Sequence, residues 1–83
     1  MKKLIEYKVV FPEEPSIEGE AQKIELKNKS NPFSILPNHA PMIAILQKGT
    51  LNIYGNNNEI EKYTYESGYI HINDEKIVIN ILY

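Results

Sequence analysis

The sequence predicts an all-β domain, a sandwich or barrel, and three observations lead to that fold class. Apolar residues recur at every second position far more often than at helical spacing, which is typical of strands with one buried face. Turn-forming residues are spaced about 8 to 12 residues apart, as in sandwiches and barrels. No stretch of about ten or more residues combines helical periodicity with a cap, so we expect helix content near nil.

Two strands are predicted in the N-terminal half. Residues 4–11 form the first, and the prolines within residues 12–15 end it. Residues 21–27 form the second, with apolar side chains on one face. Gly19 is expected to mark a turn between them.

The C-terminal half shows the clearest alternation. The apolar positions that share a face are Leu51 with Ile53, Tyr63 with Tyr65, Ile70 with Ile72, and Ile77 with Ile79 and Ile81. Residues 55–58 and 73–75 are rich in Gly, Asn and Asp, which accept the conformations of tight hairpin turns. Because the period is two, Tyr63 and Tyr65 are expected to be buried or exposed together.

Length, charge and cysteine content narrow the function classes. The 83 residues suffice for one modest core, so residues 1–83 are expected to form a single domain. A formal net charge of -2 gives no basic footprint for nucleic acid or an anionic lipid surface. The absence of cysteine excludes disulfides, thiolate nucleophiles and sulfur-ligated metals. No catalytic residues, metal ligands or cofactor motifs are recognised.

The apolar runs are short. Glu6 and Lys8 interrupt the N-terminal run before it reaches the length of an export signal. The longest run, residues 42–46, cannot span a membrane. Membrane association is therefore expected only through another protein.

Residues 35–41, which read Ile-Leu-Pro-Asn-His-Ala-Pro, predict a rigid turn. Pro37 and Pro41 fix their own φ and push the preceding residue toward an extended conformation. Asn38 is among the few residues besides glycine that accept a left-handed conformation at small cost. The turn would hold His39 in a fixed position. Three roles are open for His39 there: a structural residue, a partner contact or a catalytic residue. Catalysis is the weakest of the three, because no serine or acid forms a recognisable motif with it.

The same segment resembles a signature of the epsilon subunits of F-type ATP synthases, which read Ile-Leu-Pro-Gly-His-Ala-Pro at this place. An apolar strand and a glycine follow, here residues 42–46 and Gly49. Residues 67–69, Ser-Gly-Tyr with Gly68 at the centre, resemble the family's Gly-Gly-Phe. Gly19 falls where the family has the glycine of its early strand connection. The similarity covers almost all of the 83 residues in order.

The resemblance implies a fold and a role. The fold is a flattened antiparallel β-sandwich of about ten short strands. The role is that of a non-catalytic rotor subunit in the central stalk, with one side on the gamma subunit and one end on the polar loops of the c-ring. Such a subunit supports coupling of H⁺ or Na⁺ flow to ATP synthesis or hydrolysis, and binds no cofactor. It would lie at the cytoplasmic face of a bacterial inner membrane, or at the equivalent face in an organelle, as a peripheral part of the complex.

Full-length members of that family continue into a helical hairpin that can inhibit ATP hydrolysis and, in some members, bind ATP. The sequence ends at Tyr83, directly after the sandwich. Neither inhibition by such a hairpin nor nucleotide binding is therefore expected of these residues.

The resemblance also implies site residues. The candidate gamma contacts are His39, Met42 and Ala44, and burial of Met42 in the core is an equally open alternative. The candidate c-ring contacts are Asn28, Lys29, Ser30, Asn31, Pro32 and Phe33. The structural turn positions are Leu36, Pro37, Asn38, Pro41, Gly19, Gly49 and Gly68.

The candidate c-ring loop departs from the family pattern. Pro32 stands where the family usually has an acid, and Lys27 and Lys29 reverse the local charge. Like charges across a contact are costly, so either the partner loop differs or backbone and apolar contacts from Phe33 dominate. Plain solvation of the loop is an equally open alternative.

Two further function classes are open. The first is a free-standing β-sandwich module that holds a peptide or sugar against tyrosine side chains, which otherwise cap the core. The candidate tyrosines are Tyr54, Tyr63, Tyr65 and Tyr69. The second is an enzyme, which ranks last because the acids and histidines are scattered along the chain. Self-association in isolation is also expected, because an interface meant for gamma can pack against a copy of itself.

Overall fold

Strands make up the regular structure of the described residues. We describe it from a computed structural model, which covers residues 4–29, 32–37, 40–55, 59–73 and 76–82. The strands are β1 (Ile5–Val10), β2 (Ile17–Ala21), β3 (Lys23–Asn28), β4 (Phe33–Ile35), β5 (Met42–Tyr54), β6 (Ile60–Ile72) and β7 (Lys76–Leu82). The all-β prediction is confirmed. The described strands number seven rather than about ten, because β5 and β6 each continue through 13 residues.

The strands form one mixed sheet in the order β2-β1-β7-β6-β5-β3-β4. All neighbouring pairs are antiparallel except β1 and β7, which run parallel from Glu6 opposite Lys76 to Val10 opposite Asn80. The β1–β7 pair is thus the one exception, among the described neighbouring strands, to the antiparallel pairing expected of the sandwich. The two strands are far apart in sequence, so no local turn fixes their relative direction.

The hairpin of β5 and β6 belongs to both layers of the domain. The two strands pair in one constant register from Met42 opposite Ile72 to Tyr54 opposite Ile60. However, β3 pairs only with residues 49–54 of β5, and β7 only with residues 67–72 of β6. The first layer therefore contains β2, β1, β7, residues 67–72 of β6 and the residues of β5 that pair with them. The second layer contains β4, β3, residues 49–54 of β5 and the residues of β6 that pair with them.

The sheet curls so that the two layers enclose one core. Val9 and Ile79 from one layer, and Ile24 and Leu26 from the other, are inaccessible to solvent and belong to the same cluster. Burial of each such aliphatic side chain contributes about 1.5–3 kcal/mol. In the described ranges, no helix is long and apolar enough to cross a membrane.

Both long strands change the side that faces the core near their middle. In β5 the even-numbered Leu46 points inward before this change, and the odd-numbered Leu51 points inward after it. In β6 the buried residues likewise change from odd-numbered to even-numbered, from Tyr65 to Ile70. The two strands change together, because their register stays constant.

Gly49 and Gly68 lie inside β5 and β6, near this change of side, and not in turns as the sequence suggested. A Cβ on Gly49 would overlap the carbonyl oxygen of Lys27, and one on Gly68 would overlap the carbonyl oxygen of Asn80. Both glycines are thus required by the close approach of a neighbouring strand.

The expected turn at Gly19 is also wrong. Gly19 lies in β2, where a Cβ would come within 2.8 Å of the Tyr7 hydroxyl oxygen. The chain instead bends at Gln22, whose backbone N–H donates to the Tyr54 carbonyl at 2.8 Å. Ala21 therefore ends β2 rather than beginning the next strand.

Candidate interaction surface

Exposed apolar side chains gather on the outer face of the first layer. Ile43 and Ile45 of β5 are 70% and 80% exposed, Tyr69 of β6 is 51% exposed, and Leu82 of β7 is 54% exposed. Ile45 lies opposite Tyr69, and Leu82 lies opposite Ser67, two residues along β6 from Tyr69. These four residues, which we call the β5–β7 face, form a neighbouring group that projects away from the core. Exposed apolar groups of this kind mark protein contacts.

The structure places the expected gamma contacts of β5 on the opposite side of the strand. Met42 and Ala44 are half-buried and pack against the core, in phase with buried Leu46. The exposed positions are their neighbours Ile43 and Ile45, which sequence reasoning missed. The signal that could have found them is the two-residue period counted back from a buried leucine. The third expected gamma contact, His39, lies outside the described residues.

The predicted turn connects β4 to β5. Leu36 is exposed and Pro37 is half-buried at the end of β4, and Pro41 is exposed directly before β5. Asn38 lies outside the described residues. The described residues of this segment agree with a short connection from β4, at the edge of the second layer, to β5, at the edge of the first layer.

Asn28, an expected c-ring contact, is instead a buried anchor. It is the last residue of β3 and only 8% exposed, and its Oδ1 accepts a hydrogen bond from the hydroxyl of buried Tyr65. The next residue, Lys29, donates its backbone N–H to the Lys48 carbonyl at 3.0 Å. The strand pairing thus continues to the base of the loop.

The rest of the candidate c-ring loop divides between surface and core. Lys29 and Pro32 are exposed. Phe33 begins β4, opposite Leu26, and packs partly against the core, so its ring is only partly available to a partner. Ser30 and Asn31 lie outside the described residues.

Glu25 organises the outer face of the second layer and offsets part of the lysine charge. Its Oε1 accepts from Tyr54 Oη at 2.9 Å and from Asn52 Nδ2 at 3.2 Å. Lys23 and Lys27 lie 3.8 and 3.9 Å from its carboxylate. The hydrogen bonds from Asn52 and Tyr54 are the main causes that lower the pKa of Glu25. Lys27 is therefore paired within the chain, and Lys29 is the more available of the two loop cations.

Tyr63 and Tyr65 lie on the same side of β6, as the two-residue period predicts. Tyr65 is buried and Tyr63 half-buried against the core, so the expectation that they share one side is confirmed. Burial raises the pKa of Tyr65 to about 12. Tyr54 binds Glu25, which leaves Tyr69 as the tyrosine of the β5–β7 face.

A cleft of about 260 Å³ lies beside Tyr7 and Glu61. The Tyr7 hydroxyl donates to Glu61 Oε2 at 3.2 Å, and burial, with a smaller effect of the Glu61 charge, raises the pKa of Tyr7 to about 12. Within the described ranges, no group of three or more His, Cys, Asp or Glu side chains is arranged to hold a metal ion.

A second cleft, of about 500 Å³, has walls that include Phe11, Pro15, Ile17 and Tyr63. The rings of Phe11 and Tyr63 are tilted, with centroids 5.7 Å apart. It is larger than the cleft beside Tyr7, and its walls carry aromatic and aliphatic side chains, so it is the candidate site if the chain were a ligand-binding module.

Residues 4–81 match the family described as ATP synthase, Delta/Epsilon chain, beta-sandwich domain. The chain is 35% identical over 79 residues to the ATP synthase epsilon chain of Clostridium novyi (strain NT), covering 95% of this chain and 60% of that relative. It is 33% identical over 72 residues to the ATP synthase epsilon chain of Desulfitobacterium hafniense (strain DSM 10664 / DCB-2), covering 87% and 54%. The chain thus spans 54 to 60% of the length of these relatives.

Two solved structures share the fold. A chain in the cryo-EM structure of Euglena gracilis mitochondrial ATP synthase (OSCP/F1/c-ring, rotational state 1) superposes with a TM-score of 0.86 at 19% identity, over 96% of this chain and 51% of that one. A chain in the Tetrahymena thermophila mitochondrial ATP synthase central stalk/c-ring structure superposes with a TM-score of 0.76 at 16% identity, over 99% and 66%.

Proposed function

Because this chain belongs to the family of the ATP synthase Delta/Epsilon chain β-sandwich domain, we propose that it is a non-catalytic rotor subunit of the central stalk of an F-type ATP synthase. In this role it joins gamma to the c-ring and supports the coupling of ion flow to ATP synthesis or hydrolysis. Its place is on the cytoplasmic side of a bacterial inner membrane, held there by the complex.

The β5–β7 face is the proposed gamma-binding surface, and its exposure is the observation that carries the proposal. Among the described residues, Ile43 and Ile45 are the two most exposed large apolar side chains, and Tyr69 adjoins them across the β5–β6 register. Removing such side chains from water on binding gains about 25 cal/mol per Å² of apolar area. An aromatic residue beside aliphatic anchors is typical of the centre of protein interfaces.

Contact with the c-ring is proposed for the exposed part of the loop between β3 and β4. Lys29 and Pro32 supply its described surface, and Asn28 holds its base through Tyr65. Lys29 favours an acidic or neutral ring loop, since Lys27 is already close to Glu25.

Co-purification with gamma tests the proposal. The double variant Ile43→Lys/Ile45→Lys should lose gamma, because two charges would have to be desolvated at the centre of the contact. Ile60→Lys is the matched control: Ile60 is 52% exposed on the other layer, so this variant should retain gamma. Retention of gamma by the double variant, with all three proteins folded by circular dichroism, would reject the proposed face.

A free-standing binding module is the second candidate, and the apolar cleft between Phe11 and Tyr63 favours it. Tyr63→Ala should leave gamma binding intact if the chain is a rotor subunit. If the chain is a ligand-binding module, the unaltered chain should fail to capture gamma. It should bind a peptide or sugar, and Tyr63→Ala should weaken that binding.

A further inference from the structure

One edge of the sheet is unpaired along residues 42–46 of β5, which we call the β5 edge. These residues pair with β6 on one side, and the pairing of β5 with β3 on the other side begins only at Gly49. A last backbone bond, from Lys29 N–H to the Lys48 carbonyl, lies just beyond the β3 pairing. In the described part of the chain, residues 42–46 therefore have a partner strand on one side alone.

The β5 edge lacks the features that usually prevent edge strands from pairing with another chain. Its sequence, Met-Ile-Ala-Ile-Leu, contains no charge and no proline, and its register with β6 has no bulge. The other edges differ: β2 carries Glu18 and Glu20, and β4 is only three residues long. Residues 60–65 of β6, also paired on one side, carry Glu61 and Lys62.

The sequence of the β5 edge is nearly palindromic in side-chain type, which suits antiparallel pairing with itself. We propose that the β5 edges of two copies of this chain pair antiparallel about a two-fold axis at Ala44, forming a homodimer. In this register Ile43 of one copy lies opposite Ile45 of the other on the outer face. Met42 lies opposite Leu46 on the inner face. Both cross-strand pairs are apolar, and such pairs stabilise sheets.

Charge and burial agree with this register. Lys48 falls opposite Ala40 and not opposite a lysine of the other copy, so no like charges meet across the axis. Met42 and Ala44 are only half-buried at the margin of the core. A second β5 strand would cover them, so the pairing completes burial on the inner face while it satisfies backbone groups at the edge.

The area of the contact predicts a weak dimer. Five residues extend about 17 Å at 3.4 Å per residue, and a strip of that length and one sheet thickness is far smaller than the roughly 800 Å² per partner of a stable interface. Dimerisation should therefore depend on concentration and be undetectable in dilute solution.

Disulfide trapping tests both the dimer and its register, because the chain contains no cysteine. Facing residues of an antiparallel pair have Cα atoms about 4.5–5.5 Å apart, within reach of a disulfide. Ala44→Cys should therefore cross-link to its own copy. Ile45→Cys is the matched control, since two copies of residue 45 would lie about 8 Å apart, beyond the disulfide limit of about 7 Å.

We expect Ala44→Cys to form dimers about tenfold faster than Ile45→Cys, and dilution to slow the reaction. A mixture of Ile43→Cys and Ile45→Cys should form the mixed dimer in preference to either homodimer. Equal rates for all single variants would overturn the proposal, as would preferential self-linking of Ile45→Cys or sedimentation as a monomer at every concentration. The assay uses the chain alone, so its outcome is independent of gamma co-purification.

Discussion

At the scale of single residues, buried polar side chains fix the position of the loop that we assign to the c-ring. Tyr65 and Asn28 bond to each other inside the core, and Asn28 is the last residue before that loop leaves β3. A buried acceptor that loses its donor costs more than an exposed one, because water cannot replace the partner. The hydrogen bond therefore links the stability of the core to the geometry of the proposed c-ring loop.

Removal of that hydroxyl should destabilise the fold. Tyr65→Phe removes the buried hydroxyl that donates to Asn28 Oδ1, and we expect the free energy of unfolding to fall by about 1–3 kcal/mol in urea titrations. Tyr54→Phe is the control, because Tyr54 donates to the better-solvated Glu25 and its loss should have a smaller effect. Equal losses for the two variants would contradict the role given to the buried bond.

Alkaline pH should destabilise the protein through Tyr7 and Tyr65. Burial raises the pKa of both phenols to about 12, above the ordinary value of 10.0. The unfolded chain therefore loses these protons first, so the stabilisation is complete below pH 10 and is lost as pH rises toward 12. Urea titrations between these limits should show a steep decline, and Tyr7→Phe/Tyr65→Phe should make it shallower. An unchanged slope in the double variant would show that other groups cause the decline.

At the scale of elements, the β5–β6 hairpin defines the architecture. Each strand continues without interruption from one layer to the other, and its core-facing side changes near Gly49 or Gly68. The two glycines allow neighbouring backbones to approach at this change, and they thereby determine which side chains are exposed farther along each strand. The outward direction of Ile43 and Ile45 is set in this way.

Substitution at these glycines should be much more harmful than at a turn glycine. Gly68→Ala places a Cβ against the Asn80 carbonyl oxygen, and we expect a loss of about 1–3 kcal/mol, as for overpacking of a core. Gly55→Ala is the matched control, because the nearest atoms to its Cβ would lie 3.5 Å away on Glu59. Thermal unfolding measures both, and a similar change in Tm would argue against strand approach as the cause.

Much of this fold is predictable from sequence, and the limits have physical causes. Alternation at Ile77, Ile79 and Ile81 identifies β7 without further information, since those side chains fill one face. The parallel pairing of β1 with β7 and the change of side at Gly49 depend on contacts with distant strands. The family resemblance placed Met42 on the gamma-facing surface, although it packs against the core.

At the scale of the whole molecule, the first and last strands meet inside the sheet. Glu6 pairs with Lys76, and β1 lies between β2 and β7, so the sheet is complete only when both ends of the chain are in place. Closing a loop of this length costs entropy before the contacts form. The long hairpin, whose pairs are nearer in sequence, should form first.

Folding kinetics test this order. Val9→Ala, in β1, should mainly accelerate unfolding, because its contacts form late. Ile70→Val, in the β6 part of the hairpin, should mainly slow refolding. Both side chains are inaccessible to solvent, so the variants are matched in burial. Stopped-flow measurements in which Val9→Ala slows refolding as much as Ile70→Val would contradict the proposed order.

The shared hairpin also has a mechanical consequence. Two continuous backbones, each 13 residues long, run from one layer into the other, so neither layer can slide or rotate against its neighbour without breaking strand hydrogen bonds. Within β5 and β6, no loop interrupts the passage from one layer to the other. In the proposed rotor role, a domain built in this way would act as a stiff spacer between the parts that it connects.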